Sequence, residues 1–274
     1  MKQICEVKNM AWCTTRFRSR ALNMPVEAEI LIPQAGYKSL KQEDNYKVMI
    51  LLHGVRNDRT EWLLKSQIFD MVRELPVLVF MPSGKNSFYL NTYTGYNYMD
   101  FVAEEIPEFI RTHFRVSGKR NDWLIGGCSM GGYGAFVCGL NHPGTFGNIA
   151  SFSGAVDILE VAENAPELKP ELILGPDFEK AGNSQADLFG ICDKVDEHLR
   201  PRIYMCCGDG DVLLPMNKRF YEKLRDNYDV TAAWGEGGHD FVYWNEQLKK
   251  VFGWFCPEDM KSGIFMGRCG NDFL

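Results

Sequence analysis

The fold is decided by one stretch near the middle of the chain, Trp123-Leu124-Ile125-Gly126-Gly127-Cys128-Ser129-Met130-Gly131-Gly132-Tyr133-Gly134-Ala135. Its first half is an apolar run that predicts a buried strand, and its second half is rich in small residues and predicts a helix. A Gly-x-Ser-x-Gly sequence joins the two halves and puts Ser129 at the sharp turn between them. This strand, turn and helix form the setting that a nucleophile elbow requires.

Short apolar runs alternate with longer amphipathic stretches on both sides of this turn. Strands are predicted at 48–52, 77–81, 123–127, 148–152, 203–207 and 230–234, and helices at 60–74, 99–114, 130–140 and 241–255. Pro107 is expected to kink or split the helix at 99–114. Continuous apolar strands that alternate with helices predict an α/β fold, in which a mostly parallel sheet is covered on both faces. Residues 11–21 and 26–32 leave little room for a helix between them and predict an antiparallel N-terminal edge.

The chain length favours one domain over two. With 274 residues, 45% of them hydrophobic, the chain can build one sizeable core. We expect a single domain over residues 1–256 and an aperiodic C-terminal tail at 257–274. Residues 154–200 are irregular and rich in proline, and they predict an insertion between two core strands. This insertion is either a lid over a site or a surface excursion without a role.

Ser129 is the candidate nucleophile. Glycines two residues before and after it leave room for a strained turn that projects the hydroxyl out of the sheet edge. The following helix directs its first N–H groups at the same point, where they favour the oxyanion that forms when a hydroxyl attacks a carbonyl carbon. The alternatives are a glycine-rich turn with an incidental serine, or Cys128 as nucleophile, although the side chain of Cys128 should point into the core.

A serine nucleophile needs a base, and His239 is the best placed of the five histidines. It lies in Glu236-Gly237-Gly238-His239-Asp240, in the predicted loop between the last strand and the last helix. His142 follows too soon after the elbow to fold back on it, and His198 lies in a charged, solvated patch.

The acid that orients the imidazole should follow an earlier strand. Cys207-Gly208-Asp209-Gly210-Asp211 follows the strand at 203–207 and offers two carboxylates. We prefer Asp211, because Asp209 beside glycine is typical of a turn. The order of Ser129, Asp211 and His239 along the chain is the order that this type of triad requires.

The oxyanion formed at Ser129 would need two backbone donors. The residue after the nucleophile, Met130, offers one N–H group. The second should come from the loop after an early strand, and Leu52-His53-Gly54-Val55 fits with the N–H of Val55. His53 is then a structural histidine at a strand end, with a second general base as the less favoured alternative.

Composition limits the compartment and the partners. The net charge is −6 and no basic run is present, which argues against nucleic acid and against anionic membranes as partners. The N-terminus lacks a signal-peptide pattern, and the nine cysteines lack C-x-x-C spacing. We therefore expect reduced thiols and a cytoplasmic protein, unless a leader was removed. We expect no metal and no organic cofactor, and a homo-oligomer is compatible with the sequence.

Several of these motifs together resemble a known family. His53-Gly54, the elbow 127–135, Gly208-Asp209-Gly210-Asp211 and Gly237-Gly238-His239-Asp240 with Trp244 are similar to those of the Putative esterase group of α/β-hydrolases. This group includes tributyrin-type, feruloyl and acetyl-xylan esterases, S-formylglutathione hydrolases and mycolyltransferases. The resemblance covers roughly residues 10–255, and the segment 81–107 looks closest to the tributyrin-type esterases.

The resemblance implies an α/β-hydrolase fold and a metal-free acyl-ester hydrolase, with Val55 and Met130 as oxyanion donors. It departs from the group in the charged loop Arg56-Asn57-Asp58-Arg59. Arg56 or Arg59 either meets an acidic group on the substrate or faces solvent, and we expect solvent. The expected reaction is hydrolysis of a short-chain or aromatic acyl ester through an acyl-enzyme intermediate. The alternatives are acyl transfer to an alcohol or sugar, cleavage of feruloyl or acetyl groups from plant polysaccharide, and a non-catalytic binding protein.

Overall fold

The protein is built on one eight-stranded sheet. In the computed structural model, the strands follow the order β1-β2-β4-β3-β5-β6-β7-β8. The structure describes residues 10–33, 45–73, 75–177 and 184–258. The strands are β1 (Met10–Ser19), β2 (Met24–Pro33), β3 (Lys47–Leu52), β4 (Val77–Pro82), β5 (Trp123–Cys128), β6 (Asn148–Phe152), β7 (Arg202–Gly208) and β8 (Val230–Gly235).

The sheet is parallel from β4 to β8 and antiparallel at its N-terminal edge. β1 pairs with β2, and β2 pairs with β4, both in antiparallel register. All other neighbours are parallel. The predicted fold class, including the antiparallel edge, is thereby confirmed.

Side chains that alternate along the central strands separate two apolar cores. Val48 and Ile50 pack in the core on one face of the sheet. Their neighbours Met49 and Leu51 pack in the core on the other face. Both faces are covered by helices, and this explains why the strand sequence is continuously apolar.

Nine α-helices of four or more residues cover these faces in the described part of the chain. They are α1 (Glu61–Lys65), α2 (Ile68–Val72), α3 (Ile106–His113), α4 (Met130–Asn141), α5 (Ile158–Asn164), α6 (Pro170–Leu174), α7 (Leu188–Ile191), α8 (Leu214–Leu224) and α9 (Phe241–Phe255). A short helical turn (Tyr98–Asp100) and a π-helical segment (Phe101–Glu105) run directly into α3.

Two helical predictions needed correction, and one helix was not predicted. The helix predicted at 60–74 is two short helices, because α1 ends at Ser66, whose hydroxyl bonds back to the carbonyl of Trp62. The helix predicted at 99–114 changes to π-helical geometry before Pro107, which has no N–H for the helical ladder. The sequence interpretation did not predict α8, which lies between β7 and β8.

One further prediction has a restricted outcome. Of the predicted tail at 257–274, residues 259–274 lie outside the described residues. The helices of the described ranges are all too short or too polar to cross a membrane.

Candidate active site

Ser129 lies at the turn between β5 and α4, in a strained backbone conformation. Its φ of 56° and ψ of −118° are unusual for a residue with a side chain, and such a conformation costs of the order of 1–3 kcal/mol. The surrounding structure maintains the strain, because the Ser129 N–H donates to the Phe152 carbonyl at 2.9 Å and the Ser129 carbonyl accepts from the N–H of Ala155 at 3.1 Å. The side chain is only partly buried.

The glycines on either side of the elbow are sterically required. A Cβ added to Gly127 would lie 2.5 Å from the Gly131 carbonyl oxygen, and one added to Gly131 would lie 2.3 Å from the Leu52 carbonyl oxygen. Neither backbone atom can move without displacing β3 or α4. Glycine at both positions therefore lets the turn form without these clashes.

Asp211 and His239 meet at the same edge of the sheet. Asp211 follows β7, His239 follows β8, and the imidazole Nδ1 lies 2.9 Å from Asp211 Oδ2. The Asp211 side chain is fully buried, whereas 34% of the His239 side chain is exposed. Asp209, the alternative acid, instead accepts a bond from the Gly237 N–H at 3.3 Å.

The environment of Asp211 favours its ionised form. Burial alone would raise its pKa, but the hydrogen bonds from His239, the Leu213 N–H and Ser153 together hold the pKa below its ordinary value. A buried carboxylate in this position holds the imidazole in the tautomer with a proton on Nδ1 and leaves Nε2 able to accept a proton.

Trp244 connects the imidazole to Ser153, the residue that follows β6. The His239 and Trp244 rings meet edge to face, with centroids 5.0 Å apart. The indole Nε1 donates to Ser153 Oγ at 3.0 Å. Ser153 adjoins Phe152, which accepts the Ser129 N–H, so a chain of direct contacts runs from the histidine to the elbow. Ser129 Oγ and the imidazole are not hydrogen-bonded to each other. In ligand-free hydrolases, the hydrogen bond between nucleophile and base often tightens only when substrate binds.

The loop after β3 is fixed on both sides of Val55. The Gly54 N–H donates to Glu61 Oε2 at 2.6 Å, and the Arg56 N–H donates to Asn86 Oδ1 at 2.8 Å. Within the described ranges, the N–H of Val55 has no protein acceptor. It is thus the one amide of the three that is available to a ligand.

His53 is a buried, neutral structural residue. Its Nε2 accepts the Gly84 N–H at 2.8 Å, so Nδ1 carries the proton that is shared with the Gly54 carbonyl at 2.7 Å. Burial lowers the pKa of His53. Both ring nitrogens are thus engaged, and the imidazole holds the carbonyl of the Gly54–Val55 peptide.

Two other predictions from the sequence can be compared with the structure. Cys128 is fully buried, and burial together with the charge of Glu61 raises the pKa of its thiol well above the ordinary value. The expectation that Arg59 faces solvent is wrong, because its guanidinium pairs with Glu27 at 3.0 Å and Glu29 at 2.9 Å. Arg56 is largely exposed, at 64%, and pairs with Glu167 at 3.2 Å.

The sequence interpretation missed three side chains at this site, namely Glu61, Asn86 and Ser153. Asn86 and Ser153 act through hydrogen bonds to residues far away in the chain, whereas Glu61 accepts the N–H of Gly54, seven residues earlier. Sequence spacing carries no signal for such bonds. The spacing of four residues between Glu61 and Lys65 is typical only of an ordinary helical ion pair.

The chain is similar in sequence to a known family and to several known proteins. The sequence profile of the Putative esterase family matches residues 19–255. The chain is 32% identical over 234 residues to an acetyl esterase of Caldicellulosiruptor saccharolyticus, an alignment that covers 81% of this chain and 88% of the relative. It is 25% identical to a diacylglycerol acyltransferase/mycolyltransferase of Mycobacterium leprae, over 76% of this chain and 74% of the relative.

A solved structure extends the comparison to the fold. An S-formylglutathione hydrolase of Staphylococcus aureus superposes with a TM-score of 0.79 at 26% identity. The match covers 90% of this chain and 99% of that protein. The family match, the acetyl esterase relative and this likeness lead to one conclusion: the chain belongs to the Putative esterase family and is a carboxylic ester hydrolase of the α/β-hydrolase fold.

Proposed function

We propose that the protein is a serine carboxylesterase that hydrolyses short-chain acyl or aromatic acyl esters, with Ser129, His239 and Asp211 as its triad. The observation that carries the proposal is the strained Ser129, with φ at 56°, at the sheet edge where Asp211 holds the imidazole of His239 at 2.9 Å. A strained residue of this kind persists when function requires it.

The proposed reaction has two steps. Ser129 Oγ attacks the ester carbonyl carbon while His239 Nε2 takes the hydroxyl proton, and the N–H groups of Val55 and Met130 bind the oxyanion. The intermediate collapses, and the alcohol leaves with the proton from His239. Water then attacks the acyl-enzyme, with His239 as base, and releases the carboxylic acid and free Ser129.

Residues 154–177 support a small acyl group. Ala155 donates its N–H to the Ser129 carbonyl, and helices α5 and α6 pack with Phe88 around a small apolar cavity. The same segment reaches the loop after β3 through the Arg56–Glu167 ion pair. We propose that this segment forms the acyl-side wall of the site, in keeping with the acetyl esterase relative.

Acyl transfer is the second candidate function. The mycolyltransferase relative favours it, because the same triad can pass an acyl group to an alcohol or sugar instead of water. Feruloyl or acetyl-xylan esters would be substrates of the same chemistry. Product analysis with added acceptor alcohol separates the two reactions: formation of the transesterified product at the expense of free acid identifies a transferase.

The function is tested with p-nitrophenyl acetate and butyrate. The Ser129→Ala variant should lose turnover by roughly 10⁴–10⁶-fold while its thermal unfolding stays unchanged. Retained turnover would remove Ser129 from the mechanism. A panel from acetyl to octanoyl esters with methyl ferulate then identifies the acyl group, and a preference for octanoyl would contradict the small acyl site.

A cytoplasmic location is part of the proposal. Six of the seven cysteines in the described part of the chain are buried. Five of these six, Cys128, Cys138, Cys192, Cys206 and Cys207, are free thiols, and buried free thiols fit a reducing compartment. Cell fractionation tests this, and recovery of the enzyme outside the cell would contradict it.

A further inference from the structure

A buried carboxylate lies beside the proposed oxyanion hole and has no part in the triad. Glu61 is in the first turn of α1, and its side chain is only 4% exposed. Its Oε2 accepts the Gly54 N–H at 2.6 Å, and its Oε1 pairs with Lys65 Nζ at 3.1 Å. The thiol of Cys128 donates to Oε2 across 3.7 Å.

Glu61 therefore contacts a residue near each proposed oxyanion donor. Gly54 directly precedes Val55, and Cys128 lies two residues before Met130. A Cβ added to Gly54 would lie 3.4 Å from Glu61 Oε2 and 3.7 Å from the Cβ of Ser129. The Gly54 backbone thus lies close to both the carboxylate and the nucleophile.

Stability alone does not explain a buried carboxylate here. Removing a charge from water is costly, and apolar side chains of similar size are often as stable as a buried ion pair. What an apolar side chain could not supply is the short, charge-assisted bond to the Gly54 N–H. That bond fixes the backbone one residue before Val55.

The orientation of the Val55 N–H follows from this bond together with that of His53. The carbonyl of Gly54 and the N–H of Val55 belong to one planar peptide and point in opposite directions. His53 Nδ1 holds the carbonyl at 2.7 Å, and Glu61 holds the preceding N–H. With both ends held, the Val55 N–H cannot rotate away when the substrate is absent.

We propose that Glu61 is a positioning residue, which holds the Gly54 amide so that the Val55 N–H stays directed at the oxyanion formed on Ser129. This inference rests on the proposed esterase function. It predicts that the carboxylate contributes to the transition state and not to substrate binding, because the oxyanion exists only after attack.

Two variants of matched length separate positioning from packing. Glu61→Met fills the same space without an acceptor, whereas Glu61→Gln retains a carbonyl oxygen for the Gly54 N–H. Glu222→Met is the control, since Glu222 is an exposed helical glutamate paired with Arg225. The measurements are kcat and KM for p-nitrophenyl acetate, Ki for butylboronic acid, and thermal unfolding. The adduct of butylboronic acid with serine is tetrahedral and negatively charged, like the oxyanion intermediate.

Removing an oxyanion donor outright costs roughly 10²–10³-fold, so a misdirected donor in Glu61→Met should cost about 10–100-fold in kcat. KM should change by less than about twofold, and Ki for the boronic acid should rise in parallel with the loss of kcat. Glu61→Gln should recover to within about fivefold of the wild type, and the control should match the wild type.

Three results would overturn the inference. These are a Glu61→Met variant with wild-type kcat, a loss that appears in KM alone, and a folded Glu61→Gln variant as slow as Glu61→Met. If Glu61→Met does not fold, the positioning role is tested by the kcat of Glu61→Gln and by its Ki for the boronic acid. Ser129→Ala is assayed in parallel. If the wild type is no faster than Ser129→Ala, the proposed esterase function is refuted. If the wild type is active and Glu61→Met is fully active, only the positioning role is refuted.

Discussion

The Asp211→Asn variant should nearly abolish turnover while leaving the site almost isosteric. Asp211 Oδ1 accepts the Leu213 N–H at 2.9 Å, and Oδ2 faces His239 Nδ1 at 2.9 Å. In the variant, the Leu213 N–H keeps the amide oxygen on its side, so the amide NH₂ faces the imidazole. Nδ1 must then accept a bond, and the proton moves to Nε2.

A histidine with its proton on Nε2 cannot take the hydroxyl proton from Ser129. Loss of the correct tautomer costs about 10⁴-fold in kcat in hydrolases with this triad. At 1.36 kcal/mol per factor of ten, this corresponds to about 5.4 kcal/mol of transition-state stabilisation. The loss should appear in kcat for p-nitrophenyl acetate, with KM little changed.

Asp209→Asn is the matched control, two residues away. Asp209 Oδ1 only accepts the Gly237 N–H, and asparagine keeps that acceptor. We expect activity within about threefold of the wild type. The reasoning is refuted if Asp211→Asn keeps more than a tenth of the activity, or if Asp209→Asn collapses while Asp211→Asn stays active.

Three other perturbations give separate tests. Trp244→Phe keeps an aromatic ring beside the imidazole but loses the 3.0 Å hydrogen bond to Ser153. The kcat should fall roughly tenfold with KM unchanged, and an unchanged kcat would exclude a role for this bond. Gly131→Ala places a Cβ 2.3 Å from a backbone carbonyl oxygen and should lower the free energy of unfolding, measured in urea, by about 1–3 kcal/mol. Gly144→Ala is the control, because Gly144 has open space around it, and its free energy of unfolding should stay unchanged. Because the pKa of Asp211 is lowered in the folded protein, its carboxylate stabilises the fold above the ordinary pKa of 3.8, and this contribution is lost as the pH falls through the lower folded value. The difference in stability between wild type and Asp211→Asn should therefore shrink below pH 3.8. A difference that grows there would contradict the assignment.

Much of the fold was predictable because it depends on local patterns. The apolar runs at β3, β4 and β5 predict buried strands, and the Gly127 and Gly131 spacing predicts the sharp turn at Ser129. α8 was missed because Pro215 near its start and its polar residues hid its amphipathic face. The break between α1 and α2 depends on the bond from the Ser66 hydroxyl to the Trp62 carbonyl, which propensity does not indicate.

The site was less predictable, since its support comes from contacts between distant residues. The choice of Asp211 over Asp209 could be argued from turn chemistry, but the partners of both carboxylates are visible only in the folded chain. Arg59 was expected in solvent because the sequence of its loop is charged. Its partners lie on β2, 30 residues earlier, where a strand from the antiparallel edge passes beside the loop.

The central claim is that Ser129 is the nucleophile, and covalent labelling tests it most directly. The wild-type protein is treated with a fluorophosphonate, and the modified residue is located by mass spectrometry of peptides. We predict a single phosphonyl group on the hydroxyl of Ser129, formed as turnover is lost, and none on Ser129→Ala. An adduct on another residue, or full inactivation without an adduct at this position, would contradict the account.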